Sequence, residues 1–337
     1  MIGTRGIIGI CIVIGAGLLV STEPSHFELD ESINRFFGDD SSDAELFSGA
    51  RDTYGSSLAQ DDRSEGYTRQ VPLLCGHAPL NRVPTLGPRI KPYIVDGQDQ
   101  VHGEWPSFVL VTAHFNGQPS RCGGVILSQR RILTAAHCVT KDGAVSDKIV
   151  VELGAHNLTN GTPQPANVVC MSRNHTKEEA RFRDWALLET AEPIQFTAYI
   201  QPACLPSGGP NELREYRYCH LIGAGATGFG ESGEYISPQV IQKLIVRKMS
   251  CANVTESRYR GREALACWRG IIGGSTLPGD TGGPILCLDM ADVRAQMRRW
   301  TVVAIATNDK DRTVMVGIYA AVRELISQIK EAGCEIL

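Results

Sequence analysis

A hydroxyl held among glycines stands at Gly279-Asp280-Thr281-Gly282-Gly283-Pro284. A loop of this type turns sharply and presents the Thr281 oxygen. The backbone N–H groups of Gly279 and Thr281 can then converge on one point and stabilise a developing oxyanion. Joined by a histidine and an orienting carboxylate from elsewhere in the chain, such a loop is the nucleophile corner of a catalytic triad. The residue is threonine, so the chemistry turns on whether a β-branched alcohol can attack a carbonyl.

The elements that must position this loop belong to a chain of 337 residues, long enough for one large β-domain or two medium ones. With 21% charged residues and a formal net charge of −4, the composition argues against a nucleic-acid partner, which would call for a strongly basic chain. Eleven cysteines without a C-x-x-C pair point to disulfides made in an oxidising compartment. Residues 1–22 read as a secretory signal: a basic start at Met1–Arg5, an apolar run Gly6–Val20, and small residues at Val20-Ser21-Thr22. The run is short for a membrane span, so stable membrane insertion is not expected; a retained anchor is the alternative. Four sequons, at Asn157, Asn160, Asn174 and Asn253, fit a glycosylated, secreted, extracellular surface.

Residues 23–74 carry twelve Asp or Glu against four Arg and no cysteine, which reads as an acidic, mostly disordered pro-segment. Beyond it, short apolar runs at Phe108–Ala113, Gly124–Leu127 and Ile149–Leu153 alternate with Gly, Asn and Pro clusters. That pattern predicts an all-β sandwich or a pair of barrels. Ala321–Ala332 predicts a C-terminal helix with Val322, Leu325, Ile326 and Ile329 on one face and Gly333 as its stop.

Further motifs fall in a definite order. Thr134-Ala135-Ala136-His137-Cys138 follows an apolar strand, and Cys122-Gly123-Gly124 precedes it. Asp184 lies in Arg183-Asp184-Trp185-Ala186-Leu187-Leu188. Ile94-Val95-Asp96-Gly97, Glu104-Trp105-Pro106, Cys219-x3-Gly223-x-Gly225 and Gly317-Ile318-Tyr319 complete the set. In these motifs, from about Cys75 to Leu337, the chain resembles the trypsin/chymotrypsin-like serine protease family. The likeness is specific because several motifs occur together in the right order and spacing.

The resemblance implies two six-stranded Greek-key β-barrels with a C-terminal α-helix, the site lying in the cleft between the barrels. It implies residues 75–93 as an activation peptide and 94–337 as the protease domain. It also implies the bridges Cys122–Cys138, Cys219–Cys287, Cys251–Cys267 and Cys75–Cys204, the last tethering the cleaved propeptide. Cys170 and Cys334 remain, as a bridge pinning the helix or as free or intermolecular thiols. By the same likeness His137 is the general base, Asp184 its orienting carboxylate, and Thr281 the nucleophile. Gly279 and Thr281 supply the oxyanion hole, and Asp280 receives the new amino terminus of Ile94 on activation.

The chain also departs from the family. The methyl of Thr281 makes its side chain stiff about χ1. A nucleophile misplaced by about 1 Å can lose about 10²-fold in rate. Leu277 stands where the pocket cysteine is expected, and its partner is absent too. The wall reads Ala306-Thr307-Asn308, where a side chain at Asn308 would narrow the pocket mouth, and the resemblance places Gly317 in the same pocket. Ser275 occupies the pocket base, which disfavours Arg or Lys as the bound residue. Tyr93, not Arg or Lys, precedes Ile94: a tryptic cut after Arg89 leaves four extra residues, Ile90–Tyr93, and a chymotrypsin-like cut after Tyr93 is the alternative. Ala155, in Leu153–Asn157, replaces a calcium-ligating Glu, so no metal is expected there, and no cofactor anywhere.

The sequence therefore reads as a secreted protease homologue that is inactive or weakly active. It would act by binding other proteins, such as cascade proteases or their substrates, in an extracellular proteolytic cascade. A slow endopeptidase using Thr281 is the alternative. Arg258, Arg260, Arg262, Arg294, Arg298 and Arg299 read as solvated loops, with an exosite for an anionic polysaccharide or acidic partner as the alternative.

Overall fold

The computed structural model describes residues 75–81, 98–171, 184–206, 215–229, 232–250, 265–271, 276–294, 297–311, 316–331 and 333–334. The proposed signal, the acidic segment, Tyr93, Ile94, Asn174, Asn253, Cys251, Ser275 and the arginines at 258, 260 and 262 lie outside them.

Six strands form the first barrel: β1 (Phe108–Phe115), β2 (Gln118–Ile126), β3 (Arg131–Thr134), β4 (Lys148–Leu153), β5 (Thr162–Met171) and β6 (Ala186–Thr190). They close in the order β1-β2-β3-β6-β5-β4. Alternate residues turn inward, so Val109, Val111, Ala113, Ile126, Ile132, Val151 and Leu188 share one buried cluster. Each Val, Ile or Leu side chain so withdrawn from water contributes about 1.5–3 kcal/mol.

The second barrel comprises β7 (Tyr216–Gly223), β8 (Gln242–Met249), β9 (Leu265–Gly270), β10 (Pro284–Asp289), β11 (Trp300–Asp311) and β12 (Val316–Ala321). Its order is β8-β7-β10-β11-β12-β9, and the β8–β9 pairing closes the ring. Leu221, Leu244, Val246, Ile285 and Ala304 fill it. Gln98–Asp99 adds a short strand beside β8. This is the all-β, two-barrel chymotrypsin-like architecture.

Strand limits differ from those read in the sequence. β2 begins six residues before Gly124, because its first four residues are exposed and polar and carry no apolar signal. The turn at Asn116-Gly117, with φ of 50° and 77°, sets that hairpin; positive φ at both central residues matches the twist of the flanking strands.

Three short helices complete the described fold: α1 (Ala136–Val139), α2 (Met290–Arg294) and α3 (Val322–Glu331). On α3, Val322, Leu325 and Ile329 are buried, while Ile326 is only half-buried. Gly333, at φ 76°, ends the helix. Its N–H donates to Lys330 O at 3.0 Å, and Cys334 N–H donates to Ile329 O at 3.0 Å. This pair of bonds satisfies carbonyls that a helix end otherwise leaves open.

Candidate active site

His137 sits in α1, the single turn that follows β3. Cys138, beside it, bridges to Cys122 of β2, which fixes the turn to the barrel wall. Thr140 Oγ1 donates to Ala136 O at 2.8 Å and closes the turn from the other end. Asp184 lies two residues before β6, and β6 pairs with β3, so its position follows from the barrel. The carboxylate is buried, at 5% exposure. Its Oδ1 accepts from the His137 backbone N–H at 3.0 Å, and its Oδ2 meets His137 Nδ1 at 2.5 Å. With Nδ1–H donating to the carboxylate, Nε2 keeps the lone pair that a general base needs.

The hydroxyl loop is held by its backbone. Thr281 O accepts from Gly123 N at 2.7 Å, and Gly123 O accepts from Thr134 Oγ1 at 2.7 Å. Gly123 adjoins Cys122, so one network of bonds joins the Thr281 loop to the His137 turn. Gly282 N donates to Ala306 O, and Ala306 N to Gly283 O, both at 2.8 Å. Within the loop, Asp280 N donates to Leu277 O and Gly283 N to Asp280 O. Among the hydrogen bonds of the described residues, none is donated by Gly279 N or Thr281 N.

Asp280 is fully buried. Its Oδ1 accepts from Gly225 N and its Oδ2 from Leu277 N, both at 2.8 Å. Gly223 and Gly225 have a reason here that the motif alone did not disclose. A Cβ on Gly225 would lie 2.6 Å from both the Cγ and the backbone N of Asp280, and one on Gly223 would meet the carboxylate too. Gly279 needs its own glycine, with φ at 101° and Gly225 Cα in the space a side chain would take.

Other candidate residues fall as follows. Leu277 is buried at the Asp280 turn, where its backbone N–H meets the Asp280 carboxylate. Ala306 is buried in β11; Asn308 lies in β11 and Gly317 in β12, with Gly317 opposite Lys310. Four bridges form, Cys75–Cys204, Cys122–Cys138, Cys219–Cys287 and Cys170–Cys334, and Cys267 is also disulfide-bonded. Asn157 and Asn160 lie on the turn between β4 and β5, Asn160 exposed, and Thr159 Oγ1 donates to Asn157 Oδ1 at 2.9 Å. The C-terminal arginines have acidic neighbours: Arg294 reaches Glu215, and Arg299 forks onto both oxygens of Asp292.

Sequence reasoning quoted Gly123 and Thr134 in motifs without giving them a role, and missed Gln328. Gly123 acts through its backbone N–H and carbonyl, and Thr134 through a hydroxyl that bonds a residue eleven positions away, so neither role shows in the local pattern. Gln328 Oε1 accepts from Trp185 Nε1 at 3.2 Å across 143 positions, a distance no local pattern spans.

A family model described as Trypsin matches residues 94–329. Among curated proteins, Chymotrypsin-C of Rattus norvegicus is 28% identical over 209 residues, which cover 60% of this chain and 76% of that protein.

Proposed function

The chain belongs to the trypsin-like serine protease family, and from that premise we propose that it is a secreted, extracellular homologue whose Thr281 supports little or no turnover. Its work is to bind other proteins, cascade proteases or their substrates, in an extracellular proteolytic cascade. The proposed triad is His137, Asp184 and Thr281, with Gly279 and Thr281 N–H groups as the oxyanion hole and Asp280 as the acceptor for the Ile94 amino terminus. One observation carries the reading: the residue at the nucleophile position is a buried threonine inside a loop otherwise fixed by backbone bonds. A loop so fixed gives the added methyl little room to be relieved by shifting the chain, and β-branching restricts relief by rotation.

A second reading has support of its own. The 2.5 Å contact between His137 and Asp184 supports it, as do the Gly279 and Thr281 N–H groups, which donate to no partner among the described residues; a working acyl-transfer site requires both features. On that reading the chain is a slow endopeptidase using Thr281, with apolar rather than basic residues preferred.

The test is fluorophosphonate labelling of protein cut to expose Ile94, prepared as Tyr93→Arg and treated with trypsin. Labelling of the Thr281→Ser protein alone supports the binding role, since the scaffold is then competent and the threonine silences it. Labelling and peptide cleavage by the threonine protein refute it and establish the enzyme. Failure of both to label refutes a competent frame.

A further inference from the structure

Asp184 is held from one side by His137, and its other anchor runs through the next residue. Trp185 is 2% exposed, and its indole N–H, a donor only, gives its bond to Gln328 Oε1. Such a partner is not automatic: the buried indole N–H groups of Trp105 and Trp268 have no partner among the described residues. Gln328 sits on the inward face of α3, between Leu325 and Ile329, which are both buried.

The far end of α3 is tied back to the same region. Cys334, just past the helix stop, bridges to Cys170 of β5. Cys170 pairs in register with Leu187 of β6, and Met171 with Ala186. A closed loop of bonds results. It runs from Trp185 through Gln328 and α3 to Cys334, crosses to Cys170, and returns along the β5–β6 ladder to Ala186 and Trp185. The residue immediately ahead of this ring is Asp184.

We propose that Gln328 is a positioning residue for the His137–Asp184 pair, acting through the Trp185 indole while the Cys170–Cys334 bridge holds its helix. The proposal rests on the site described above but not on turnover by Thr281. Removing the Gln328 acceptor leaves a buried donor unpaired, and relief of that penalty comes by moving the Trp185 backbone, which carries Asp184 with it. A short carboxylate–imidazole bond is sensitive to such a shift.

The test reads the imidazole directly. The His137 Nδ1 proton, in a 2.5 Å contact with Asp184, is expected to resonate far downfield of ordinary amide protons and to be assigned by its loss in His137→Gln. In full-length protein, Gln328→Met is expected to move this resonance upfield and speed its exchange about tenfold, the order expected for a buried donor left unpaired. Gln328→Glu keeps an acceptor and is expected to preserve the signal. The Cys170→Ser/Cys334→Ser pair is expected to act in the direction of Gln328→Met. A Gln328→Met protein that melts lower yet keeps the resonance unmoved overturns the proposal, since Gln328 is then merely structural. Equal loss in the Met and Glu variants overturns it as well. Absence of the resonance from the unmutated protein overturns the dyad itself, a failure of the site reading rather than of the clamp alone.

Discussion

His220 offers a quantitative check on how β7 packs. It is 3% exposed, lies against Trp105 and Trp300, and its Nδ1–H donates to Tyr218 O at 3.0 Å. Burial, followed by the nearby Lys243 cation, lowers its pKa from 6.5 to about 4, against the raising effect of the Tyr218 carbonyl. The native state thus resists a proton that the unfolded chain accepts below pH 6.5. Between pH 6.5 and about 4 the unfolded state binds more protons, so stability rises with pH across that window and falls on acidification. The shift corresponds to about 3 kcal/mol lost by the bottom of the window, as an upper figure. His220→Phe keeps a ring between the two tryptophans and removes the titration. It also removes the His220 hydrogen bond to Tyr218 O, a cost of about 1 kcal/mol at every pH. Urea midpoints of both proteins at several pH values between 7 and 4 are the assay. The unmutated protein should be the more stable at pH 7 and the less stable near pH 4, so the two curves cross. A stability difference that stays constant with pH would refute the reasoning.

Further outcomes follow from the same geometry. Lys243 Nζ lies 2.5 Å from Glu104 Oε1, with side-chain exposures of 12% and 5%. Glu104→Gln should therefore cost about 3 kcal/mol in chemical denaturation, whereas the double change Glu104→Leu/Lys243→Met should recover most of it. Asp280→Asn sets an amide N–H₂ against either Gly225 N or Leu277 N, and a loss of about 1–3 kcal/mol in thermal or urea unfolding is expected. In a Thr281→Ser background, Gly225→Ala should reduce fluorophosphonate labelling by about 10²-fold, because its Cβ forces the Asp280 turn to move. Cleavage within residues 82–93 should leave the amino-terminal piece attached through Cys75–Cys204 on a non-reducing gel and release it on reduction.

The all-β character was legible because strand signals are local; the two-barrel closure and the proposed triad roles were read from the family resemblance, whose motifs are local too. His137 rides on a five-residue motif beside a cysteine, Asp184 on a strand start, and Thr281 on a run of glycines. β-strands that are buried on one face announce themselves by alternation, and those with a solvent-facing half do not. That is why the opening residues of β2 escaped. The reasons behind the glycines at 223 and 225 were also illegible, since each answers to a carboxylate more than fifty positions away. The same holds for Gln328, a polar residue on an amphipathic helix whose partner is set only by the docking of α3.

The separability of frame and nucleophile has a physical basis in these contacts. Among the bonds described, those that shape the 279–283 turn run through Thr281 O, Gly282 N, Gly283 N and the Asp280 carboxylate. The Thr281 hydroxyl takes no part in them. The His137–Asp184 pair likewise contributes to folding apart from chemistry, because a buried carboxylate needs the two donors that His137 provides. A chain can therefore change the side chain at position 281 while every backbone bond of the site stays satisfied. The converse changes, at Asp280 or Asp184, would leave buried groups unpaired and cost stability whether or not the protein turns over substrate. An intact His137–Asp184 pair beside a threonine at position 281 is thus what folding alone would maintain, so the pair bears equally on a binder and an enzyme. The decision lies with the hydroxyl, which is why the Thr281→Ser comparison separates the two readings and substitution of His137 would not.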